Sequence, residues 1–229
     1  MKLLAIDTAT EACSVALLHS SALLVRELEP GRGASELILP LVREVLAEAG
    51  LALGDLSAIA FGRGPGGFTG VRLAASVAQG LAFGAGLPVI GVSDLRAVAQ
   101  RVLDEQPAAG AVLVCNDARM KEVYWTCCGR DPAGLARLVC PERVGAPDSV
   151  ALPPGVAVPA HGAGRGFLAY PQLGERLGPG LAGLHPDLLP RAREIARLAQ
   201  GLLAAGEAVP PEQALPVYLR DEVAKPSRN

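Results

Sequence analysis

The residues best suited to chemistry lie in a glycine-rich segment that joins an apolar run to a helical pattern. The segment runs from Phe61 to Arg72 and includes Gly64, Gly66 and Gly67. Glycines at a strand-to-helix turn can expose backbone N–H groups to an anion, and the helix N-terminus adds a positive dipole. The same glycines would also let a tight loop pack closely without any ligand. The segment lacks the lysine of a Walker A phosphate loop.

Charged residues near this segment, and near two polar turns, widen the candidate site. Arg63 and Arg72 could hold an anion or a partner's carboxylate, or could be solvated above the core. Asp7 and Asp117 each follow an apolar strand, where aspartate could serve a metal or nucleotide, although capping the turn is the favoured role for Asp7. An ion pair with Arg119 is the alternative for Asp117. The candidate residues near an anion or nucleotide are Asp7, Thr8, Arg63, Gly64, Gly66, Gly67, Arg72, Asp117 and Arg119.

The composition allows a large core and argues against several classes of function. Half of the 229 residues are hydrophobic and the net charge is −2, which disfavours a surface dedicated to nucleic acid. The five cysteines form no Cys-x-x-Cys motif, so we predict neither a disulfide framework nor a zinc site, and we expect a cytoplasmic protein. No uncharged stretch is long and apolar enough to predict a membrane span.

Short apolar runs alternate with helical patterns along the chain. Leu3–Ile6 and Cys13–Leu18 flank a polar turn and predict a β-hairpin. Apolar residues spaced three and four apart predict a helix that opens at Ser35, and Ser93 is a good N-cap for a later one. Asp187 is predicted to cap a final helix, and the Pro- and Gly-rich sequence before it is predicted to be mostly loop.

A second unit repeats the first in pattern. Two apolar strands flank the polar turn at 116–120, and Asp117 falls on Asp7 when the two hairpins are superposed in sequence. A duplicated unit of hairpin, helix, strand and helix is typical of the α/β, two-lobed actin/Hsp70/sugar-kinase (ASKHA) fold. We therefore predict lobes at residues 1–104 and 105–229. The phosphate-binding hairpins of that fold need glycine, and these two turns contain none, which predicts a degraded ATP grip.

Two helical faces could contact another protein. Small residues recur every four positions along the second helix, which would let a partner helix approach closely, but packing on the chain's own sheet needs small residues too. A row of larger residues on the first helix has the same ambiguity, with the core favoured. The candidate partner-facing residues are Leu37, Leu41, Val45, Gly70, Ala74, Ala78 and Ala82.

Five segments together resemble the TsaB (YeaZ) family, the accessory subunit of bacterial tRNA threonylcarbamoyladenosine synthesis. They are Leu4–Leu17, Gly62–Arg72, Ala78–Ala82, Asp117–Arg119 and Pro216–Arg220. The resemblance spans most of residues 1–126 and resumes at the tail.

The resemblance implies a non-catalytic subunit that docks on the catalytic paralogue TsaD through its N-terminal helices and works with the ATPase TsaE. It implies that ATP or ADP and a metal belong to those partners, that tRNA is met through the complex, and that the isolated chain could form a homodimer. The His-x-x-x-His metal pair of the catalytic subunit is absent from this sequence. The alternatives are an ATPase or phosphotransferase acting alone and, less favoured, a metallopeptidase-like protein.

Overall fold

Residues 1–20, 22–29 and 33–220 are described by the computed structural model of the chain, and they form two β-sheets with helices around and between them. The first sheet contains β1 (Lys2–Asp7), β2 (Cys13–His19), β3 (Ala22–Leu28), β4 (Ala58–Gly62) and β5 (Val89–Val92). Three helices belong to this half of the chain: α1 (Ala34–Ala49), α2 (Phe68–Ala85) and α3 (Asp94–Glu105).

The second half follows the same plan with shorter elements. Its strands are β6 (Ala111–Arg119), β7 (Glu122–Arg130), β8 (Ala136–Leu138), β9 (Arg143–Gly145), β10 (Ala160–Ala163) and β11 (Leu181–His185). Its helices are α4 (Gly166–Ala169), α5 (Gln172–Leu177) and α6 (Ala192–Ala204).

The strand order shows that the two halves are a topological duplication. The first sheet runs β3-β2-β1-β4-β5, and the second runs β8-β7-β6-β10-β11 with β9 also paired to β7. In both sheets the first three strands in sequence pair antiparallel with one another. The fourth strand of the order (β4 or β10) pairs parallel with the first strand of its half (β1 or β6), and the fifth (β5 or β11) pairs parallel with the fourth. The predicted α/β class with a duplicated unit is confirmed.

The helices form three layers around the two sheets. One core joins the outer face of the first sheet to α1 and α2, and another joins the outer face of the second sheet to α4 and α5. The largest core lies between the sheets, where α3 packs on β6 and its neighbours while α6 packs on β1 and β2. The predicted boundary between residues 104 and 105 falls at the end of α3, and each half of the chain contributes one helix that packs on the sheet of the other half.

Several local predictions need correction. The final helix begins at Ala192 with Arg191 at the N-cap position, so Asp187 does not cap it. The region predicted to be loop contains β8 to β11, because strands of three to five residues rich in Ala, Gly and Arg carry no β-propensity signal. Within the described residues, none of the helices is long and apolar enough to cross a membrane.

The chain returns to the first half after α6. Val209 pairs with Val89 of β5 in an antiparallel bridge, and the Val217 N–H donates to the Arg63 carbonyl at 2.7 Å. The tail therefore reaches the glycine-rich segment, which we call the glycine loop (residues 63–67).

Candidate functional site

A cavity of about 520 Å³ opens between the two halves of the molecule. We call it the interlobe cavity. Its walls are the two hairpin turns, the end of the glycine loop and the tail, contributed by Thr8–Glu11, Asn116–Met120, Gly66–Phe68 and Val217–Arg220. The duplication thus brings the two Asp-bearing turns and the glycine loop to one place, as the sequence pattern predicts for this fold.

The first turn is fastened from within. Asp7 is fully buried, and its Oδ1 accepts the Ala9 N–H at 2.8 Å, which is the turn-capping role favoured from sequence. The Thr8 hydroxyl donates to the Gly70 carbonyl at 2.7 Å. Asp7 therefore fixes the turn from within, and Thr8 connects the turn to the start of α2.

The glycine loop and the start of α2 pack so closely on this turn that a larger residue would not fit at the contact points. A Cβ on Gly66 would lie 2.6 Å from the Ala9 carbonyl oxygen, and one on Gly70 would collide with the Thr8 carbonyl oxygen. The Gly67 N–H donates to the Ala9 carbonyl at 2.7 Å, and the Gly64 N–H donates to Asp94 Oδ2. At Gly64 and Gly67 the geometry favours tight packing over an anion cradle, because these N–H groups already have acceptors.

The two arginines that flank the loop have different surroundings. The Arg63 guanidinium lies 2.8 Å from a carboxylate oxygen of Glu142, which is nearly buried and comes from the second half of the chain. Arg63 therefore joins the halves instead of facing a ligand. Arg72 is exposed, stacks 3.5 Å over the Phe68 ring, and donates from Nε to the Tyr218 hydroxyl at 2.7 Å. Among the described residues no carboxylate pairs with Arg72.

The second turn is open to solvent. Asp117 Oδ1 accepts the Arg119 N–H at 2.8 Å, and its Oδ2 lies 3.0 Å from the Arg119 guanidinium, as the ion-pair interpretation expects. The Arg119 side chain is 83% exposed. Arg220 from the tail donates to the Ala118 carbonyl at 3.2 Å and pairs with Glu122. The cations on this wall are thus largely balanced by carboxylates of the same chain.

The predicted partner-facing rows point inward. Ala74, Ala78 and Ala82 are fully buried against the first sheet. Leu41 and Val45 are buried there too, while Leu37 is half-buried. The structure therefore places these residues in the chain's own core, and a partner helix could not contact the alanines without displacing the sheet.

The outer face of the same two helices was missed by sequence reasoning. Phe83 is 77% exposed and Leu39 of α1 is 46% exposed. Gly80 and Gly84 lie beside Phe83 on α2 and have open space where a Cβ would be. The signal was present in the sequence, since small residues recur on both sides of α2, but only the sheet decides which side is covered.

Three buried carboxyl groups have perturbed acidity. Burial raises the pKa of Asp7 to about 6, and burial together with the neighbouring Asp7 raises the pKa of Asp94 well above its usual range. Burial also raises the pKa of Glu194 in the first turn of α6 to about 7. Asp94 was not among the predicted residues, because its position after Ser93 indicated only the start of a helix, which Ser93 does cap.

Comparisons with known proteins agree with this architecture. The chain is 43% identical to the tRNA threonylcarbamoyladenosine biosynthesis protein TsaB of Escherichia coli over 226 residues, covering 98% of this chain and 96% of that protein. The chain belongs to the TsaB family. A solved structure of YeaZ from Pseudomonas aeruginosa is 46% identical, with a TM-score of 0.85, and the match covers 95% of this chain and 99% of that one.

Two further similarities bear on this family assignment. A second P. aeruginosa structure, described as similar to peptidase YeaZ, is 46% identical, with a TM-score of 0.86, and covers 96% of this chain and 99% of that one. Residues 30–130 match the model of TsaD, the tRNA N6-adenosine threonylcarbamoyltransferase. The matched range contains α1, α2, the glycine loop and the second hairpin, so a TsaB-family chain also resembles the transferase in these elements.

Proposed function

We propose that this chain is a non-catalytic subunit that binds the threonylcarbamoyltransferase TsaD and, with the ATPase TsaE, supports threonylcarbamoyladenosine modification of tRNA in the cytoplasm. The observation that carries the proposal is membership of the TsaB family along nearly the whole chain. In this proposal nucleotide and metal are held by the partner subunits, and tRNA is contacted through the complex.

The outer face of α1 and α2 is the surface proposed for docking. It presents Phe83 and Leu39 to solvent, and the bare backbone at Gly80 and Gly84 would let a partner helix approach closely. The match to the transferase model includes both helices, so TsaD would present an equivalent pair. Two similar faces can pack about a pseudo-twofold axis, and a homodimer of the isolated chain would use the same face.

The hydrogen bonds and the ion pair that the glycine loop makes within the chain favour a binding role over a catalytic one. The Gly64 and Gly67 amides have acceptors within the chain, and Arg63 is paired with Glu142. The rival is an ATPase or phosphotransferase that acts alone on the same fold. The interlobe cavity favours the rival, because it lies where the two turns of this fold would grip a nucleotide.

The docking proposal is tested by co-purification of the chain with TsaD from its own organism. Gly80→Arg places a long cation on the proposed face without a clash, since nothing lies within 4 Å of a Cβ there. The matched control is Ala204→Arg, at an exposed position at the end of α6. We expect wild type and control to hold the complex and Gly80→Arg to lose it while remaining folded. A complex that survives Gly80→Arg would place the interface elsewhere.

The catalytic rival is tested on the chain alone. We expect isothermal titration with ATP and Mg²⁺ to give no measurable heat, and assays for threonylcarbamoyl transfer to stay at background. Micromolar binding of ATP by the chain alone would favour the rival if Ala118→Arg, a substitution at the cavity wall, abolishes that binding.

A further inference from the structure

Two carboxyl groups meet beneath the glycine loop. Asp7 ends β1 and Asp94 begins α3, and both are fully buried. They approach each other over Gly62, the last residue of β4, where a Cβ would lie 2.8 Å from Asp7 Oδ1 and closer still to Asp94 Oδ1. The lack of a side chain at Gly62 is therefore what allows both carboxyl groups into one small space.

Each carboxyl group has one oxygen engaged with the backbone and one without a donor. Asp7 Oδ1 accepts the Ala9 N–H, and Asp94 Oδ2 accepts the Gly64 N–H. Asp7 Oδ2 and Asp94 Oδ1 are buried and receive no hydrogen bond from the described residues. Oδ1 of Asp7 and Oδ1 of Asp94 both lie within 2.8 Å of the point where a Gly62 Cβ would be, so the two side chains are immediate neighbours. Two ionised carboxylates in contact would repel, whereas one proton between them makes an O–H···O⁻ hydrogen bond.

The surroundings do not neutralise a double negative charge. The charged and titratable groups that face the pair are Glu27 on β3, Cys13 on β2 and Arg63 on the glycine loop. Arg63 is already paired with Glu142, and Glu27 adds a further negative charge that is balanced by Arg191 at the start of α6. The buried residues of α2, which also packs on β1, are all alanine or valine.

We propose that Asp7 and Asp94 share a single proton, and that this proton fastens the glycine loop to the first hairpin turn. Asp94 holds the loop through the Gly64 N–H, and Gly64 in turn accepts the Asp94 N–H at 3.1 Å. Asp7 holds the turn through Ala9, whose carbonyl accepts the Gly67 N–H. When base removes the shared proton to solvent, the O–H bond breaks and two adjacent anions remain. Their repulsion loosens the wall of the interlobe cavity.

The sign of the pH dependence follows from burial. Burial raises the pKa of Asp7 to about 6 and raises that of Asp94 as well, so the folded chain keeps a proton that the unfolded chain has released. The contribution of the pair to stability is therefore complete below about pH 4, the pKa of an unfolded aspartate, and is lost as the pH rises toward the raised pKa of the shared proton. One retained proton changes the folding equilibrium by up to about tenfold per pH unit.

The test is urea unfolding of the full chain across pH 4 to 8, compared with Asp94→Asn. The asparagine amide can donate to the Asp7 carboxylate at every pH, while its oxygen still accepts the Gly64 N–H. We expect the stability of Asp94→Asn relative to wild type to rise by up to about tenfold per pH unit. Asp55→Asn is the matched control, because Asp55 also caps a backbone N–H but is exposed, and its profile should parallel wild type. A parallel profile for Asp94→Asn would overturn the proposal.

A spectroscopic measurement on wild type keeps the proposal testable even if a variant fails to fold. We expect a protonated-carboxyl component in the infrared spectrum at pH 5, distinct from that of Glu194, that Asp7→Asn and Asp94→Asn both remove. Exchange of the Gly64 and Gly67 amide hydrogens should quicken with pH beyond the intrinsic rate. Absence of the band in wild type would overturn the shared proton. Neither readout involves TsaD, so this inference and the proposed docking can fail independently.

Discussion

The two hairpins of this molecule carry an aspartate in the same capping role, but the two aspartates differ in burial. In each, an aspartate ends the apolar part of the first strand and accepts the N–H of the residue two positions later, at 2.8 Å. Asp7 is fully buried, whereas the Asp117 side chain keeps 18% of its surface exposed and pairs with an arginine in solvent. The duplicated hairpin therefore does not decide how deeply its aspartate is buried.

The difference arises from where the next loop in each half packs. In the first half, Gly66 and Gly70 press on the backbone of Ala9 and Thr8, which follow Asp7. In the second half, Gly164 and Gly166 press on the Cys115 carbonyl, which precedes Asp117, and their Cβ atoms would lie 2.6 and 2.7 Å from it. A shift of a few residues in this contact covers one aspartate fully and leaves the other partly exposed.

The largest effect is expected where the first half is most tightly closed. Gly70→Ala would force a Cβ into the Thr8 carbonyl and push the first turn away from α2. We expect a loss of about 3 kcal/mol in the free energy of unfolding, measured by urea denaturation. Gly80→Ala on the same helix is the control, since its Cβ meets nothing, and it should gain about 0.5–1 kcal/mol. Equal effects of the two substitutions would contradict the proposed close packing.

The ion pair that joins the halves should give the next largest effect. Arg63→Met leaves Glu142 nearly buried and without its cation, while the Ser93 hydroxyl still donates to it. We expect a loss of about 2–3 kcal/mol, because an uncompensated buried carboxylate is costly. The double variant Arg63→Met with Glu142→Gln should recover much of this loss. If the double variant is as unstable as the sum of its single changes, the two residues do not interact.

Glu194 of α6 allows a pH test of the core between the two sheets. Burial raises the pKa of Glu194 to about 7, so its folded form holds a proton that the unfolded chain loses above its ordinary value of 4.5. Stability should fall between pH 5 and 7 by up to about 3 kcal/mol from this group. Glu194→Gln should flatten that part of the profile in thermal unfolding and be the more stable protein at pH 8. An unchanged slope would mean that water reaches this carboxyl group.

Local sequence signals were sufficient for the hairpins and the first helices. Alternating apolar strands around Asp7 and Asp117 predicted both turns, and Ser93 caps α3 as its residue type predicts. Local signals did not predict features that depend on packing between segments distant in sequence. Nothing in the periodicity of α3 or α6 says that each crosses to the other sheet. Likewise, the contact between Asp94 and Asp7 depends on a bare Gly62 and on the register of three strands.

The same limit explains the face of α2. Two faces of α2 carry small residues: one has Ala74, Ala78 and Ala82, and the other has Ser76, Gly80 and Gly84. Helical periodicity therefore predicts two faces with small side chains, without saying which one the sheet covers. The structure buries the alanine row and exposes the other. A docking test on Ala78 would therefore unfold the core, whereas one on Gly80 probes the surface.

The smallest effect is expected at the open turn of the second half. Arg119→Met removes an ion pair whose cation is almost fully solvated, and solvent screening leaves such pairs worth about 0–0.5 kcal/mol. The turn itself should persist, because Asp117 still accepts the backbone N–H of residue 119. Urea denaturation of Arg119→Met beside Arg63→Met would measure the difference between an exposed and a nearly buried pair on the same scaffold. A loss above about 1 kcal/mol at Arg119 would show that the second turn is held as firmly as the first, and would remove the contrast between the two halves.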